Sequence, residues 1–472
     1  MSSAAAPHDG FVGKNPNITN ITDTPKYSNF HQKNRHSSQL QKSTLGSIAE
    51  SPSTGEKAKS CPTPQQLKKR EKYRRLKTAA KLLPNERIAA CQRFVSPEFD
   101  YFTVKRNPVD SATSFNGFIS CESASCPHCV QARSEKDRHE LTVALAAAKK
   151  RGWSQFMLTL TLRHDLSDPL IELRQTVAAA FDRCFSGRFY QDMKDEYRVQ
   201  TKIKGWETRY GKNGWHPHLH MLFFYEGELS PPQVEGLRTW VGQRWLETLK
   251  KLGGSASMEY GIDIETADSK IAEYIAKWGK EPEVESWGAE AEMTKGHLKK
   301  AKDESSLTPF ELLGAAAGEA GQLERLQRIF PALEAQPLKD RASQLYVEYF
   351  RAFKGQARLH WGKTKELLEL DEELKQFAED NPPDEDQSYC MVMIERHEAV
   401  RVTGGYKGDD LRAELLEVCS AGNPYQVQRW LKQHDIPAIV PDVAWEHFDS
   451  LAGRAWQSPG DEWQPAAGGR LS

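Results

Sequence analysis

The stretch Gly214–Phe224, GWHPHLHMLFF, constrains this sequence more than any other. Within it, His216, His218 and His220 stand at alternate positions, directly before the apolar run Met221–Phe224. Alternate residues of a β-strand share a face, so these rings are expected side by side on a strand whose apolar end is buried. Neighbouring imidazoles are ready metal ligands. The alternative is a histidine-rich strand end whose rings bond only to the backbone.

This strand is predicted to be the second strand of a hairpin. Val199–Thr208 has the pattern of a strand, and an Asn-Gly pair marks the turn between the two. Glu207 ends the first strand close to the start of the histidine strand. A carboxylate there would complete a three-ligand divalent-metal site with His218 and His220, leaving positions for substrate oxygens.

Cysteines make a second cluster upstream. Cys126 and Cys129 form a CxxC knuckle, with Cys121 just before it and Cys91 further upstream. Four thiolates satisfy a tetrahedral zinc ion, and such a site stabilises a small loop-rich subdomain. His128 is an alternative to Cys91 as the fourth ligand. Ordinary buried cysteines and a redox CxxC are other interpretations, but no βαβ pattern surrounds this motif.

The length and the charge distribution limit the kind of protein. A chain of 472 residues is too long for one ordinary core. The formal net charge is −1, yet residues 1–100 hold 17 Lys and Arg against 8 Asp and Glu, whereas residues 366–472 hold 9 against 22. The basic front end favours a polyanionic partner. With no signal peptide, no apolar run long enough to span a bilayer and few cysteines, a cytoplasmic protein is expected.

Composition divides the chain into five parts. A polar, disordered arm is predicted over residues 1–65, and a basic helix with the zinc subdomain over 66–150. The histidine strand belongs to a domain at 151–300. A helical region with an acidic linker follows at 301–380, and a small region of unknown role at 381–472.

The basic helix, KKREKYRRLKTAAKLL, has two interpretations of equal weight. Its charge is either a solvated face or a surface that contacts DNA phosphates. In the second case the contacts come from Lys68, Lys69, Arg70, Arg74 and Arg75.

Further elements surround the histidine strand. Phe156–Leu162 alternates threonine with leucine, so it is predicted to be a strand with Thr159 and Thr161 on one face. Helical spacing is found over Asp168–Phe185 and Pro231–Leu252.

A last predicted helix, Ser269–Lys280, carries Tyr274 and Lys277 three residues apart, and therefore on one face. A phenol has a pKa of about 10 and is a poor nucleophile until nearby charge favours the phenolate. Lys277 would supply that charge, and a metal at the histidines would polarise a phosphodiester. These parts describe transesterification without ATP, and the sequence has no GxxxxGK[ST] motif. Alternatively, Tyr274 is a core aromatic residue.

Three stretches of the sequence resemble the motifs of a known family. They are FMLTLTLRHD (156–165), GWHPHLHML (214–222) and EYIAKWGKE (273–281). They are similar to the three motifs of the HUH endonucleases, and more narrowly to rolling-circle replication initiators of small bacterial plasmids. The cysteine region, parts of 292–313 and ARLHWGKTKELLEL (357–370) also resemble those proteins. The resemblance covers roughly Cys91 to Leu370.

The resemblance implies an α+β fold: an HUH-type antiparallel sheet flanked by helices, with an N-terminal zinc-stabilised subdomain and a largely helical C-terminal region. It implies Mg²⁺ or Mn²⁺, a single-stranded or cruciform origin site, and a 5′-phosphotyrosyl intermediate. The released 3′-OH would prime rolling-circle synthesis by host DNA polymerase, with a host helicase as a further partner.

Residue by residue, the family's metal ligands fall on His218, His220 and Glu207, its nicking tyrosine on Tyr274 and its motif lysine on Lys277. His216 takes a supporting position.

One position departs from the pattern. Some relatives place a glutamate one turn before the tyrosine, where this chain has Lys270. With one tyrosine in the helix, a single-tyrosine mechanism is expected. The rival functions are a single-strand transposase or relaxase, a non-catalytic zinc-stabilised DNA-binding regulator, and a copper or zinc hydrolase.

Overall fold

Two antiparallel sheets and the helices around them make up the part of the chain that the structure describes. The structure is a computed structural model, and it describes residues 63–266, 306–380, 387–405 and 408–455. These residues belong to one compact unit. The predicted α+β class, with an antiparallel sheet flanked by helices, is confirmed. The predicted disordered arm lies, up to residue 62, outside the described residues, as do Tyr274, Lys277 and Lys270.

The strands follow one another along the chain as β1 (Tyr101–Arg106), β2 (Thr113–Asn116), β3 (Trp153–Leu160), β4 (Val199–Gly211), β5 (Gly214–Glu226), β6 (Ile262–Thr266), β7 (Ser306–Leu307), β8 (Leu359–His360) and β9 (Tyr389–Glu395). The described α-helices are α1 (Pro64–Leu82), α2 (Cys129–Lys150), α3 (Leu170–Cys184), α4 (Gly187–Glu196), α5 (Pro231–Lys251), α6 (Pro309–Ala316), α7 (Ala320–Ile329), α8 (Ala335–Phe353), α9 (Thr364–Leu367), α10 (Leu370–Asp380), α11 (Ala399–Thr403), α12 (Arg412–Ser420), α13 (Pro424–Gln433) and α14 (Asp442–Ala455).

The larger, central sheet has the strand order β6-β3-β5-β4-β7, and β8 also pairs with β4. Its middle is the predicted hairpin, in which β4 and β5 pair from one end to the other and Gly211 lies opposite Gly214. Gly214 has a φ of +87°, and a Cβ there would lie 2.6 Å from the carbonyl oxygen of Asp165. Only glycine fits this position without strain, so the turn fixes the hairpin register.

The two faces of the central sheet are covered differently. Leu219, Met221 and Phe223 of β5 pack into a core with α3 and α5, whereas Leu222 and Phe224 pack against α2 and α10. The even-numbered histidines of β5 therefore share the α2 face. The apolar half of that face is buried beneath α2, and the histidines occupy its polar half.

A second core joins the two ends of the part of the chain that the structure describes. In the small sheet, ordered β2-β1-β9, strand β1 pairs with β9 from far downstream. Residues of α1, the four predicted zinc cysteines and helices α12 and α13 pack together around it. Helix α8 lies between the cores, because Leu345 packs into the central-sheet core and Tyr346 into the second.

The acidic stretch after Leu370 differs from its prediction as a linker. Up to Asp380 it forms helix α10, whose buried Leu370 packs with residues of α2. Glu373 pairs with Lys150 at 2.7 Å and with Arg151 at 3.3 Å. The apolar contact and these ion pairs hold the segment against α2. Residues 381–386 lie outside the described residues.

Candidate active site

The hairpin register brings the predicted metal ligands together. Glu207 of β4 lies directly opposite His218 of β5. The histidine row, defined as His216, His218 and His220, runs along one face with ring centroids 4.0 and 5.9 Å apart. The period-two spacing therefore places the rings side by side, as predicted.

Glu207 is held from two sides. One carboxylate oxygen lies 3.1 Å from Nε2 of His220, and the other accepts from Nε of Arg209 at 2.9 Å. The Glu207 side chain is only 10% exposed, so these contacts have a low-dielectric surrounding. The predicted third ligand is thus oriented toward the histidine row by Arg209, a residue that the sequence did not single out.

His220 has a second partner on the other side of its ring. Thr159, opposite it on β3, places Oγ1 3.0 Å from Nδ1. A threonine hydroxyl both donates and accepts, so it can satisfy either tautomer of the ring. This is the arrangement that commonly orients a metal-binding histidine.

Burial keeps His216 and His218 neutral. Desolvation lowers the pKa of His218, and together with the neighbouring His216 and His220 it brings the value to about 3. Desolvation likewise lowers the pKa of His216 to about 4, helped by the neighbouring His164. Neutral imidazole is the form that binds metal, so both rings are ready for coordination at neutral pH.

The residues present fit a divalent ion. His218, His220 and Glu207 combine two imidazoles with one carboxylate. This donor set suits Mn²⁺ better than Mg²⁺, because Mg²⁺ prefers oxygen ligands. The ligand atoms of these three residues do not all lie within 4.8 Å of one another. They are therefore further apart than the four cysteine sulfurs described below.

His164 extends the row at its outer end. Its ring centroid is 4.6 Å from that of His216, and its Nδ1 is 2.9 Å from the carbonyl oxygen of Asn213. A cleft of about 210 Å³ opens beside these two histidines and is also lined by Arg163 and Tyr260. Tyr260 is 77% exposed. His164 belongs to the first motif, within the RHD of residues 163–165. The motif alone does not show that the ring of His164 lies beside that of His216.

The four predicted cysteines form one buried group. Their sulfur atoms all lie within 4.8 Å of one another, and Cys91 Sγ is 3.5 Å from Cys129 Sγ. Hydrogen bonds from the other three sulfurs lower the pKa of the Cys129 thiol, which favours a thiolate. Such a group suits a tetrahedral structural metal such as zinc.

His128 lies outside the four-sulfur group, so Cys91 rather than His128 completes the set. Among the described residues, the buried Nδ1 of His128 has no hydrogen-bond partner. A short 3₁₀ turn, Arg87–Ala90, precedes Cys91 and brings its sulfur to 3.5 Å from that of Cys129 at the start of α2.

The basic residues of α1 divide into two groups. Arg70 pairs with Glu417 at 2.8 Å, and Arg75 forms an ion pair with Glu319. Lys69 donates to Thr113 at 3.3 Å. Lys68 and Arg74 are exposed. Three of the five predicted DNA contacts, Lys69, Arg70 and Arg75, therefore bond to other parts of the protein.

Comparison with known proteins agrees with the motifs. Residues 113–244, which include the CxxC knuckle, β3 and the hairpin, match the sequence model of a family described as "Replication protein". A curated relative from Streptomyces lividans, named "Protein rep", is 27% identical over 298 aligned residues. The resemblance to replication initiator proteins is confirmed. The alignment covers 52% of this chain but only 62% of the relative, so the chain spans less than two thirds of that protein.

No solved structure matches the chain significantly. Among the described helices, none combines the length and apolar character needed to cross a membrane.

Proposed function

We propose that this protein is a cytoplasmic initiator of plasmid rolling-circle replication that nicks one strand of its origin through Tyr274. The observation that carries the proposal is the assembled histidine row, with Glu207 held against His220 at 3.1 Å. The replication-protein match over residues 113–244 supports the same function.

In the proposed reaction, the Tyr274 phenolate attacks a DNA phosphorus atom. The new bond is a 5′-phosphotyrosyl ester, and the bond to the 3′ oxygen breaks, so the 3′-OH leaves with a proton. Mg²⁺ or Mn²⁺ held by His218, His220 and Glu207 would polarise the phosphodiester. Lys277 would favour the phenolate, and host polymerase and helicase would extend and unwind from the 3′-OH.

Chain geometry allows Tyr274 to reach the histidine row. Strand β6 is two strands from β5, a distance of about 10 Å, and Thr266 lies opposite Phe156, a few residues beyond His220. Three extended residues from Thr266 to Ser269 would span up to about 10 Å, and the five residues of the predicted helix from Ser269 to Tyr274 would add about 7 Å. The covalent connection is therefore long enough for the nucleophile to return to the metal ligands.

The buried Cys91, Cys121, Cys126 and Cys129 are proposed to hold a structural zinc ion. Lys68 and Arg74, the exposed basic residues of α1, are proposed to contact DNA phosphates, with Lys69 beside them.

The test is covalent capture. The full chain is incubated with Mn²⁺ and single-stranded oligonucleotides that tile the replicon encoding it, and adducts are resolved on a denaturing gel. The parent should form an adduct on one oligonucleotide, and Tyr274→Phe should form none. Tyr425→Phe is the matched control and should react like the parent.

Adduct formation by Tyr274→Phe at the parental level would overturn the nucleophile assignment. Tight, specific DNA binding without any metal-dependent adduct would instead favour the non-catalytic DNA-binding regulator.

A further inference from the structure

A cleft lies at the outer end of the histidine row, beside His216. Residues 161–164 after β3, the β4–β5 turn and residues 256–261 before β6 form its walls. The inner end of the row is closed, because the apolar end of β5 is buried beneath α2 and α10 on this face. A strand of DNA that lies along the row would therefore leave it through this cleft.

Backbone hydrogen bonds fix the walls of the cleft. The amide of Thr161 donates to the Gly261 carbonyl oxygen at 3.1 Å. The amide of Arg163 donates to the Ser255 carbonyl oxygen at 2.7 Å. On the hairpin side, Nδ1 of His164 donates to a carbonyl oxygen of the turn at 2.9 Å. The cleft is therefore formed before a ligand binds, which lowers the entropic cost of binding.

The size of the cleft suits one nucleotide. Its volume is about 210 Å³, which corresponds to about seven water molecules at the volume that each occupies in the liquid. A pyrimidine base has a comparable volume. Because Arg163 and Tyr260 at the rim are exposed, the sugar and phosphate attached to such a base would remain at the surface.

Arg163 supplies positive charge at the rim. Its side chain is exposed, and it forms no ion pair within the part of the chain that the structure describes. The nearby Asp165 is engaged elsewhere, since its Oδ1 accepts from the Ser167 amide at 2.8 Å and from the Ser167 hydroxyl at 2.6 Å. The guanidinium can therefore bind a phosphate group through two N–H donors.

Tyr260 supplies a flat aromatic face. It is 77% exposed, and a hydrogen bond to the neighbouring Glu259 raises the pKa of its phenol. The hydroxyl is thus neutral and already bonded at neutral pH, so the ring is the part that a ligand would contact. Aromatic rings beside basic side chains are the combination that binds single-stranded DNA with little regard to its sequence.

We infer that the cleft binds the nucleotide next to the phosphate that is cut, with its base on the ring of Tyr260 and its phosphate at Arg163. This inference rests on the proposed function, which supplies single-stranded DNA as the substrate. Binding in the cleft anchors the strand across His216, whose ring centroid is 4.0 Å from that of His218. The neighbouring phosphodiester is thereby held at the metal ligands.

Two substitutions at exposed side chains test the inference without disturbing the core. Tyr260→Ala removes the aromatic face, whereas Tyr260→Phe retains it. Arg163→Met removes the charge and keeps most of the length of the side chain. Tyr425→Ala and Arg351→Met are the matched controls, at an exposed tyrosine and an exposed arginine outside the cleft lining.

The probe is the oligonucleotide captured in the adduct assay, remade with a single abasic site at each position that flanks the mapped nick. Fluorescence anisotropy without Mn²⁺ measures binding. For the parent, an abasic site at one flanking position should weaken binding about tenfold. Tyr260→Ala should bind the intact probe about tenfold more weakly and be insensitive to that abasic site, whereas Tyr260→Phe and Tyr425→Ala should match the parent.

Arg163→Met should weaken binding of the intact probe about fivefold at 0.1 M salt and lower the salt-dependence slope by about 0.7. Arg351→Met should change neither the affinity nor the slope.

If Tyr260→Ala remains as sensitive to every abasic site as the parent, the inference is wrong. Uniform binding of all the abasic probes by the parent would overturn it as well. In either case adduct formation by the parent shows that only the assignment of the cleft has failed. If the parent captures no oligonucleotide in the presence of Mn²⁺, the proposed function itself fails, and the assignment of the cleft fails with it.

Discussion

Thr159 Oγ1 lies 3.0 Å from Nδ1 of His220, on the opposite side of the ring from Glu207. The ring is therefore fixed by two strands and two different partners. Nε2 faces the carboxylate, where a metal ion would bind, while the hydroxyl can accept a hydrogen bond from Nδ1–H when Nε2 becomes a ligand.

This contact predicts a defect in metal binding. Thr159→Val removes the hydroxyl but preserves the β-branched shape, and we expect about a tenfold loss of Mn²⁺ affinity. Thr159→Ser should restore it because the oxygen is retained. Isothermal titration with Mn²⁺ measures both, independently of nicking. Equal affinities for Thr159→Val and the parent would show that the hydroxyl does not orient the ring.

Removing one cysteine should release the structural metal. In Cys126→Ser, only three sulfur atoms remain, and we expect loss of bound zinc and a lower melting temperature. Cys390→Ser changes a cysteine outside the group and should keep the zinc. Elemental analysis by mass spectrometry and thermal unfolding are the measurements. A purified parent without zinc would contradict the assignment.

Some basic residues of α1 form ion pairs within the protein and others are exposed. Substitutions in the two groups should therefore have different effects on stability and on DNA binding. Arg75→Met leaves Glu319, whose side chain is 7% exposed, without its ion-pair partner, and we expect a loss of about 2 kcal/mol of unfolding free energy. Lys68→Met should leave stability unchanged and weaken DNA binding, lowering the salt-dependence slope by about 1. Denaturant titration and DNA binding at several salt concentrations distinguish them. Weaker DNA binding with normal stability in Arg75→Met would reverse the assignment.

The lowered pKa of Lys202 predicts that the free energy of unfolding rises with pH in the alkaline range. Its Nζ donates to the Tyr190 hydroxyl at 2.7 Å, and burial, with Lys204 and Lys194 adding to it and Asp182 opposing it, lowers its pKa to about 8. Below that pH both folded and unfolded chains are protonated. Between it and the ordinary value of 10.5 the unfolded chain binds more protons, so unfolding free energy rises with pH.

The rise from this group should total up to about 3 kcal/mol. Urea denaturation of the parent and of Lys202→Met between about pH 7.5 and 9.5 isolates it, because other titrating groups contribute to both proteins. Identical pH slopes for the two proteins would refute the prediction.

The sequence alone determined the features that depend on local periodicity. Alternation placed His216, His218 and His220 on one face, and the Asn-Gly turn set the hairpin. The CxxC knuckle and the neighbouring Cys121 predicted most of the cysteine group. These inferences succeed because residues close in the chain are related by the geometry of one element.

Tertiary structure decided the contacts that join distant segments. Pairing of β1 with β9, ion pairs that engage Arg70 and Arg75, and the choice of Cys91 over His128 all depend on how separate elements pack. Strands β7 and β8 come from distant parts of the chain and pair with different ends of β4. Periodicity within one segment carries no information about which other segment will bury it, so these relationships appear only in the folded chain.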